Sequence, residues 1–190
     1  MTDPKLKILT ISGSVRKDSV NSALLKIARK ISTDKFDFDS YEDLADLPIF
    51  NQDIEGENIP DAVFELGKAV HEADAVLIST PEYNGSIPGG LKNLLDWGSR
   101  PYGQGAFNGK VVAVIGASHS QYGASRAVEM TSNILEAMSA HVINRKLTLG
   151  NAPERVSSDG EIVDEMISRS LSNVLDGLKT SVESLTPVSR

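Results

Sequence analysis

The chain of 190 residues contains no cysteine. That absence excludes disulfide staples and thiolate catalysis, and three scattered histidines leave no ligand set for a structural zinc site. No metal is expected. Positive charge is also scarce: 19 Lys and Arg stand against 26 Asp and Glu, a net charge of −7. No segment gathers basic residues as a nucleic acid or an anionic membrane surface demands, so neither is an expected partner. Apolar runs are short, far below the roughly 20 residues of a membrane span. The opening Met-Thr-Asp-Pro-Lys-Leu-Lys leads straight into a strand-like segment with no long apolar stretch, and a soluble cytoplasmic protein is the expectation.

A chain of this length buries roughly 70% of its unfolded surface, enough for a substantial core. With no internal repeat, low-complexity tract or linker, one domain over residues 1–190 is expected. Leu6 to Ile11, Ala75 to Ile78 and Val111 to Ile115 are short, apolar and β-branched, as strands buried on both faces are. Helical periodicity lies between and after them: Leu24, Ile27, Ala28, Ile31; then Ala62, Leu66, Ala69, Ala73; then Leu91, Leu94, Leu95; then Val128, Ile134, Leu135, Met138. A fifth helix follows Val163, Ile167, Leu171, Val174 and Leu178, opened by a capping box from Ser158 to Glu161. Phe36 to Tyr41 and Val142 to Leu149 alternate more weakly, as strands toward an edge do. Five strands alternating with five helices predict a three-layer, doubly wound α/β fold with a parallel sheet in the flavodoxin-like order 2-1-3-4-5. Such sheets bind ligands at the carboxyl ends of strands beside the switch point, here the loops after strands 1 and 3.

The loop after strand 1 reads Ser12, Gly13, Ser14, Val15, Arg16, Lys17, Asp18, Ser19, Val20, Asn21, Ser22. Hydroxyls, an amide, free backbone N–H groups, a helix N-terminus and an arginine converge there, which suits a terminal phosphate. Neither the glycine-spaced dinucleotide fingerprint nor a Gly-Lys-Ser/Thr triphosphate loop is present. The ordinary alternative gives the same residues a turn glycine, a helix cap and solvated charges. The loop after strand 3 runs Pro81, Glu82, Tyr83, Asn84, Gly85, Ser86, Ile87, Pro88, Gly89, Gly90, Leu91, Lys92, Asn93, Leu94, Leu95, Asp96, Trp97. Its turn residues leave backbone groups free to meet something flat and polar, and Pro88 suits the first turn of a helix.

With both loops in hand, the chain resembles the NADPH-dependent FMN reductase family, which includes bacterial quinone and chromate reductases. Gly13, Ser14, Val15 and Arg16 with Ser19 and Asn21 match the family's Gly-Ser-x-Arg phosphate motif. Pro81 to Asn84 with Pro88, Gly89, Leu91, Lys92, Asn93, Asp96 and Trp97 match its second signature, and the similarity runs from about Leu6 to Leu178. The resemblance implies FMN as cofactor and NADPH or NADH as co-substrate. Ser14, Arg16, Ser19, Asn21 and Ser22 would bond the FMN phosphate; Pro81, Glu82, Tyr83, Asn84 and Gly85 would run along the isoalloxazine and ribityl chain. Ser118, after strand 4, would sit beside the flavin, although the glycine pair of the family at the next helix is Gly123-Ala124 here. No side chain need act as acid or base, because the flavin carries the chemistry.

The implied reaction is hydride transfer from a nicotinamide to FMN and on to a small-molecule acceptor such as a quinone, with ping-pong kinetics, in a homodimer or homotetramer. Two other classes stay open: a flavodoxin-type electron carrier, weakened by Arg16 in the phosphate loop, and a non-enzymatic flavin-binding module. Asp96 and Arg100, four residues apart, read as an exposed helix ion pair, with a partner subunit or the NADPH phosphate as a sharper role for Arg100 or Arg126. Trp97 reads as packing, and Gly103 to Gly109 as a loose connection.

Overall fold

The computed structural model describes residues 5–157, 159–161 and 164–185. Strands β1 (Leu6–Ser12), β2 (Phe36–Tyr41), β3 (Ala75–Thr80) and β4 (Val111–Ala117) are followed by two short strands, β5 (His141–Val142) and β6 (Leu147–Leu149). Helices α1 (Val20–Lys30), α2 (Asp61–Glu72), α3 (Gly89–Gly98), α4 (Ser125–Ala137) and α5 (Glu165–Leu185) alternate with them. All pairings are parallel and the order is β2-β1-β3-β4-β5, with β6 also on β4. This is the expected flavodoxin-like arrangement. Among the described residues no helix is long and apolar enough to cross a membrane.

Period-two alternation in the central strands divides the core into two layers. Leu9, Ile11, Val76, Ile78, Val112 and Val114 face α2, α3 and α4. Ile8, Ala75, Leu77, Val111, Ala113 and Ile115 face α1 and α5. β3 and β4 are buried along their whole length, which is why they read as continuous apolar runs. β2 pairs with β1 alone and exposes Asp37, Asp39 and Ser40, as an edge strand does.

Four local expectations change. The stretch from Val142 to Leu149 is two strands: between them Arg145 turns onto α5, where its Nη1 donates to the Asn173 carbonyl at 2.9 Å. A side chain anchored to a helix takes its backbone out of the ladder. In α2 the buried row is Val63, Leu66 and Val70, rotated from the alanine-rich face that periodicity suggested. The fifth helix opens at Glu165, with Asp164 Oδ1 accepting from the Met166 N–H at 2.9 Å. Glu161 instead donates its N–H to Ser157 Oγ at 3.0 Å, whereas Ser158 and Val163 lie outside the described residues. Finally, the segment from Gly103 to Gly109 is anchored rather than loose: Phe107 is fully buried and Asn108 Nδ2 donates to the Gly103 carbonyl at 2.9 Å.

Candidate active site

Three loops leave the carboxyl ends of β1, β3 and β4, and one buried amide joins their roots. Asn21, 1% exposed, donates from Nδ2 to the Ala117 carbonyl at 3.0 Å. Its Oδ1 accepts from Ser79 Oγ and from the Ala117 N–H, each at 2.9 Å. Buried polar groups must be satisfied, and here satisfaction fixes the start of α1 against the ends of β3 and β4. Ser19 is likewise turned inward: buried, it caps α1 by accepting from the Asn21 N–H at 3.2 Å. Both were expected to bond a phosphate directly. In this structure Ser19 Oγ caps α1 and the Asn21 amide bonds Ser79 and Ala117, so both side chains position the loop.

The open face of the first loop is made by other groups. Ser12 Oγ meets Ser22 Oγ at 2.9 Å, and Ser14 Oγ accepts from the Arg16 N–H at 3.3 Å. The backbone N–H groups of Val15, Lys17 and Ser22 have no protein acceptor among the described residues, and the exposed Arg16 side chain has no partner there. Gly13 donates to the Ser79 carbonyl at 2.8 Å, and a Cβ on it would lie only 3.1 to 3.3 Å from Leu91, Pro81 and Thr80. That close approach draws the first loop against the second. Ser12 belongs to this cradle but was not among the expected site residues; its place directly before Gly13 at a strand end is the signal.

In the second loop the Tyr83 and Ser86 N–H and carbonyl groups pair reciprocally at 3.0 Å around Asn84 and Gly85, whose φ values are +54° and +75°. Two left-handed residues in an Asn-Gly pair make a type I′ turn, a tight tip that projects from the strand end. Pro81 is buried, and Tyr83, 46% exposed, flanks the tip. Glu82 Oε2 accepts from the Arg126 N–H at 3.1 Å and the Ala127 N–H at 3.4 Å, so the second loop caps α4. In the third loop Ser118 is half-buried, its N–H donating to the Leu149 carbonyl at 3.1 Å and its Oγ 3.0 Å from Ser120 Oγ. Gly123 and Ala124 both have φ of +61°. The alanine thus adopts the left-handed conformation that its glycine counterpart would accept without strain.

Arg100 and Trp97 lie apart from these loops. Arg100 pairs with Glu55 at 3.4 Å and lies over the Phe50 ring, whereas Asp96 takes Lys92 at 2.5 Å. The expected Asp96–Arg100 pair does not form, because each residue finds a nearer partner. Trp97, 1% exposed, packs in the core and donates from Nε1 to the Pro48 carbonyl at 2.8 Å.

A family model described as NADPH-dependent FMN reductase matches residues 6–154. The chain belongs to that family. A 2-hydroxy-1,4-benzoquinone reductase of Burkholderia is 34% identical over 172 residues, covering 90% of this chain and 93% of the relative. An NAD(P)H-dependent FMN reductase of Pseudomonas aeruginosa is 33% identical over 95% of this chain and 97% of its own. Among solved structures, a flavoenzyme NAD(P)H:(acceptor) oxidoreductase of Paracoccus denitrificans superimposes with a TM-score of 0.82 at 32% identity, covering 92% of this chain and 98% of that one. This member of the FMN reductase family is an enzyme, with FMN as cofactor and a nicotinamide as co-substrate.

The first loop fits the phosphate of that cofactor on its own chemistry. Its open face offers backbone donors and a guanidinium without a protein partner among the described residues, serine hydroxyls, and the positive end of an eleven-residue helix. Every one of those groups is stabilised by an anion.

Proposed function

We propose that this enzyme oxidises NAD(P)H and reduces quinones or similar small planar acceptors by a ping-pong route. The observation that carries the reading is the convergence of three loops on one buried amide, with an unpaired arginine at the mouth of the first. Bound FMN supplies the isoalloxazine ring that takes a hydride from the nicotinamide. Overall, NAD(P)H and a proton from solvent convert a quinone to a hydroquinone, leaving NAD(P)+.

In this reading Ser14, Ser22 and Arg16 hold the phosphate, with Ser12 behind them, whereas Ser19 and Asn21 keep the cradle in place. Pro81, Glu82, Tyr83, Asn84 and Gly85 border the ring through the backbone of the type I′ turn, where oriented N–H groups stabilise charge gained on reduction. Ser118 closes the opposite side. On this reading the Asn84-Gly85 tip and the Ser118 loop admit one planar reactant at a time, and the nicotinamide departs before the acceptor enters.

The purified protein should be yellow, and its flavin absorbance should bleach on anaerobic addition of NADPH and return with benzoquinone. Double-reciprocal plots should be parallel. A colourless protein that does not take up FMN would remove the cofactor assignment. Bound flavin that NADPH leaves oxidised would favour the electron carrier, and intersecting plots would overturn the shared slot.

A further inference from the structure

A cleft of about 660 Å³ begins at the phosphate cradle and continues past it, between α1 and the end of β2. Its wall carries five cations, Arg16, Lys17, Lys26, Arg29 and Lys30, in a protein whose net charge is −7. None of the five has a carboxylate within ion-pair distance among the described residues, whereas Lys5, Lys7 and Lys35 each do. Arg29 is held in place by donating to Ser40 Oγ at 2.8 Å. Val15, Leu25, Leu44 and Ala45 line the same cleft with apolar surface. The carboxylates of Glu42 and Asp159 also border the cleft.

Distance separates the two ends of this wall. Lys26, Arg29 and Lys30 lie on one face of α1 at i, i+3 and i+4, roughly 10 to 16 Å along the helix from Ser19. A single phosphate at the helix N-terminus cannot use them. A second feature is independent of charge. Tyr41, 7% exposed, borders the cleft with its hydroxyl buried and without a hydrogen-bond partner among the described residues. Burial holds that hydroxyl protonated, so it is a donor awaiting an acceptor.

We propose that the outer part of this cleft binds a phosphorylated nucleoside, its phosphate on Lys26, Arg29 and Lys30 and its base against Val15 and Leu44, beside the flavin phosphate rather than in its place. The whole cleft, cradle included, falls within the usual 300–1,000 Å³ of small-molecule sites, and its outer part lies between α1 and the end of β2. A phosphate satisfies the unpaired cations, the apolar surface suits a planar base, and Glu42 at the end of β2 can accept from ribose hydroxyls. This rests on the FMN reading of the first loop. Two sources share the chemistry: the 2′-phosphorylated adenosine end of NADPH and a free 5′-mononucleotide.

The test uses FMN-loaded protein and calorimetric titration with adenosine 2′,5′-bisphosphate and, separately, 5′-AMP. At least one should bind, and Lys26→Glu should weaken it about tenfold or more while Lys26→Arg preserves it. The flavin spectrum should be unchanged in both variants, because Lys26 is exposed and lies beyond the cradle. Tyr41→Phe should weaken the same nucleotide severalfold. Preference for the bisphosphate would assign the site to NADPH, and equal binding to a mononucleotide. Absence of binding by both nucleotides, affinity indifferent to Lys26→Glu, or flavin release by that variant would overturn the proposal. Failure of the wild-type protein to bind FMN would strike the functional reading instead.

Discussion

Glu82 Oε2 accepts from the backbone N–H of Arg126 at 3.1 Å, so the carboxylate of one site loop is the N-terminal cap of the helix that follows another. The residue at the cap position itself, Ala124, has no side chain that could do this. A carboxylate brought from β3 therefore supplies what α4 lacks locally, and the two loops are coupled through the helix end.

Replacing Glu82 by Ala should cost about 0.5–2 kcal/mol, the usual loss on removing a cap. Thermal unfolding of the FMN-free protein measures it. FMN affinity should fall as well, since the turn at Asn84-Gly85 loses its anchor. Glu82→Gln, which keeps an acceptor oxygen, should recover most of both effects.

Arg16→Ala should weaken FMN binding by about 1.5–3 kcal/mol, the range for hydrogen bonds to charged groups, or roughly 10- to 150-fold. Riboflavin, which lacks the phosphate, should bind both proteins nearly equally. Unfolding of the FMN-free variant should match wild type, because the exposed Arg16 side chain has no protein partner among the described residues. Equal losses for both flavins would place Arg16 elsewhere.

Asn21→Ala should be among the most damaging single changes in the chain. It removes three buried hydrogen bonds and strands the Ala117 backbone groups and the Ser79 hydroxyl. A cost of about 2–4 kcal/mol is expected in urea unfolding of the FMN-free protein. Cofactor affinity should drop even where the variant is folded. A stable variant with normal FMN binding would contradict the clasp.

The Tyr41 hydroxyl is pushed up to about 12 by burial and by the nearby Asp43 and Asp46 carboxylates. A folded-state value above the unfolded value of about 10 means that the group leaves stability unchanged with pH below 10 and lowers it as pH rises from 10 toward 12, where only the unfolded chain ionises readily. A near-UV titration should show one tyrosine ionising near pH 12, absent in Tyr41→Phe. Because that hydroxyl has no partner among the described residues, the phenylalanine variant should be as stable as wild type, or more so, in the FMN-free state.

Asp164 is held below the ordinary carboxylate range by Arg155 and by the Met166 N–H. With the folded value depressed, its stabilisation is present above the unfolded value of about 3.9 and vanishes as pH falls through the folded one. Acid unfolding monitored by helical circular dichroism should start at higher pH in Asp164→Asn, and salt should weaken the wild-type advantage.

The sheet was legible because β3 and β4 are continuous β-branched runs and the site loops follow strand ends directly. What escaped the sequence has a common cause: partners distant along the chain. Ser19 and Asn21 carry the residue types of phosphate ligands, yet the second bonds Ala117, 96 residues away, and faces inward. Glu82 sits in a ligand loop but caps a helix 44 residues later. Arg145 interrupts an alternating segment because α5 supplies a carbonyl that a β-ladder does not. Local spacing also favoured Asp96 with Arg100, although Lys92 and Glu55 are the partners that packing supplies.

The clasp at Asn21 also sets an order in time. Its acceptor and donors come from Ser79 and Ala117, so a chain emerging from the ribosome cannot complete the amide's bonds until β4 has been made and has paired with β3. Parallel strands joined by long crossovers assemble late, after loop closure has been met without compensating contacts. The phosphate cradle, though encoded within the first 22 residues, therefore matures only after more than half the polypeptide exists. On the proposed reading of the first loop, cofactor loading follows assembly of β3 and β4, and a product truncated before Ala117 carries the motif without the clasp that holds it.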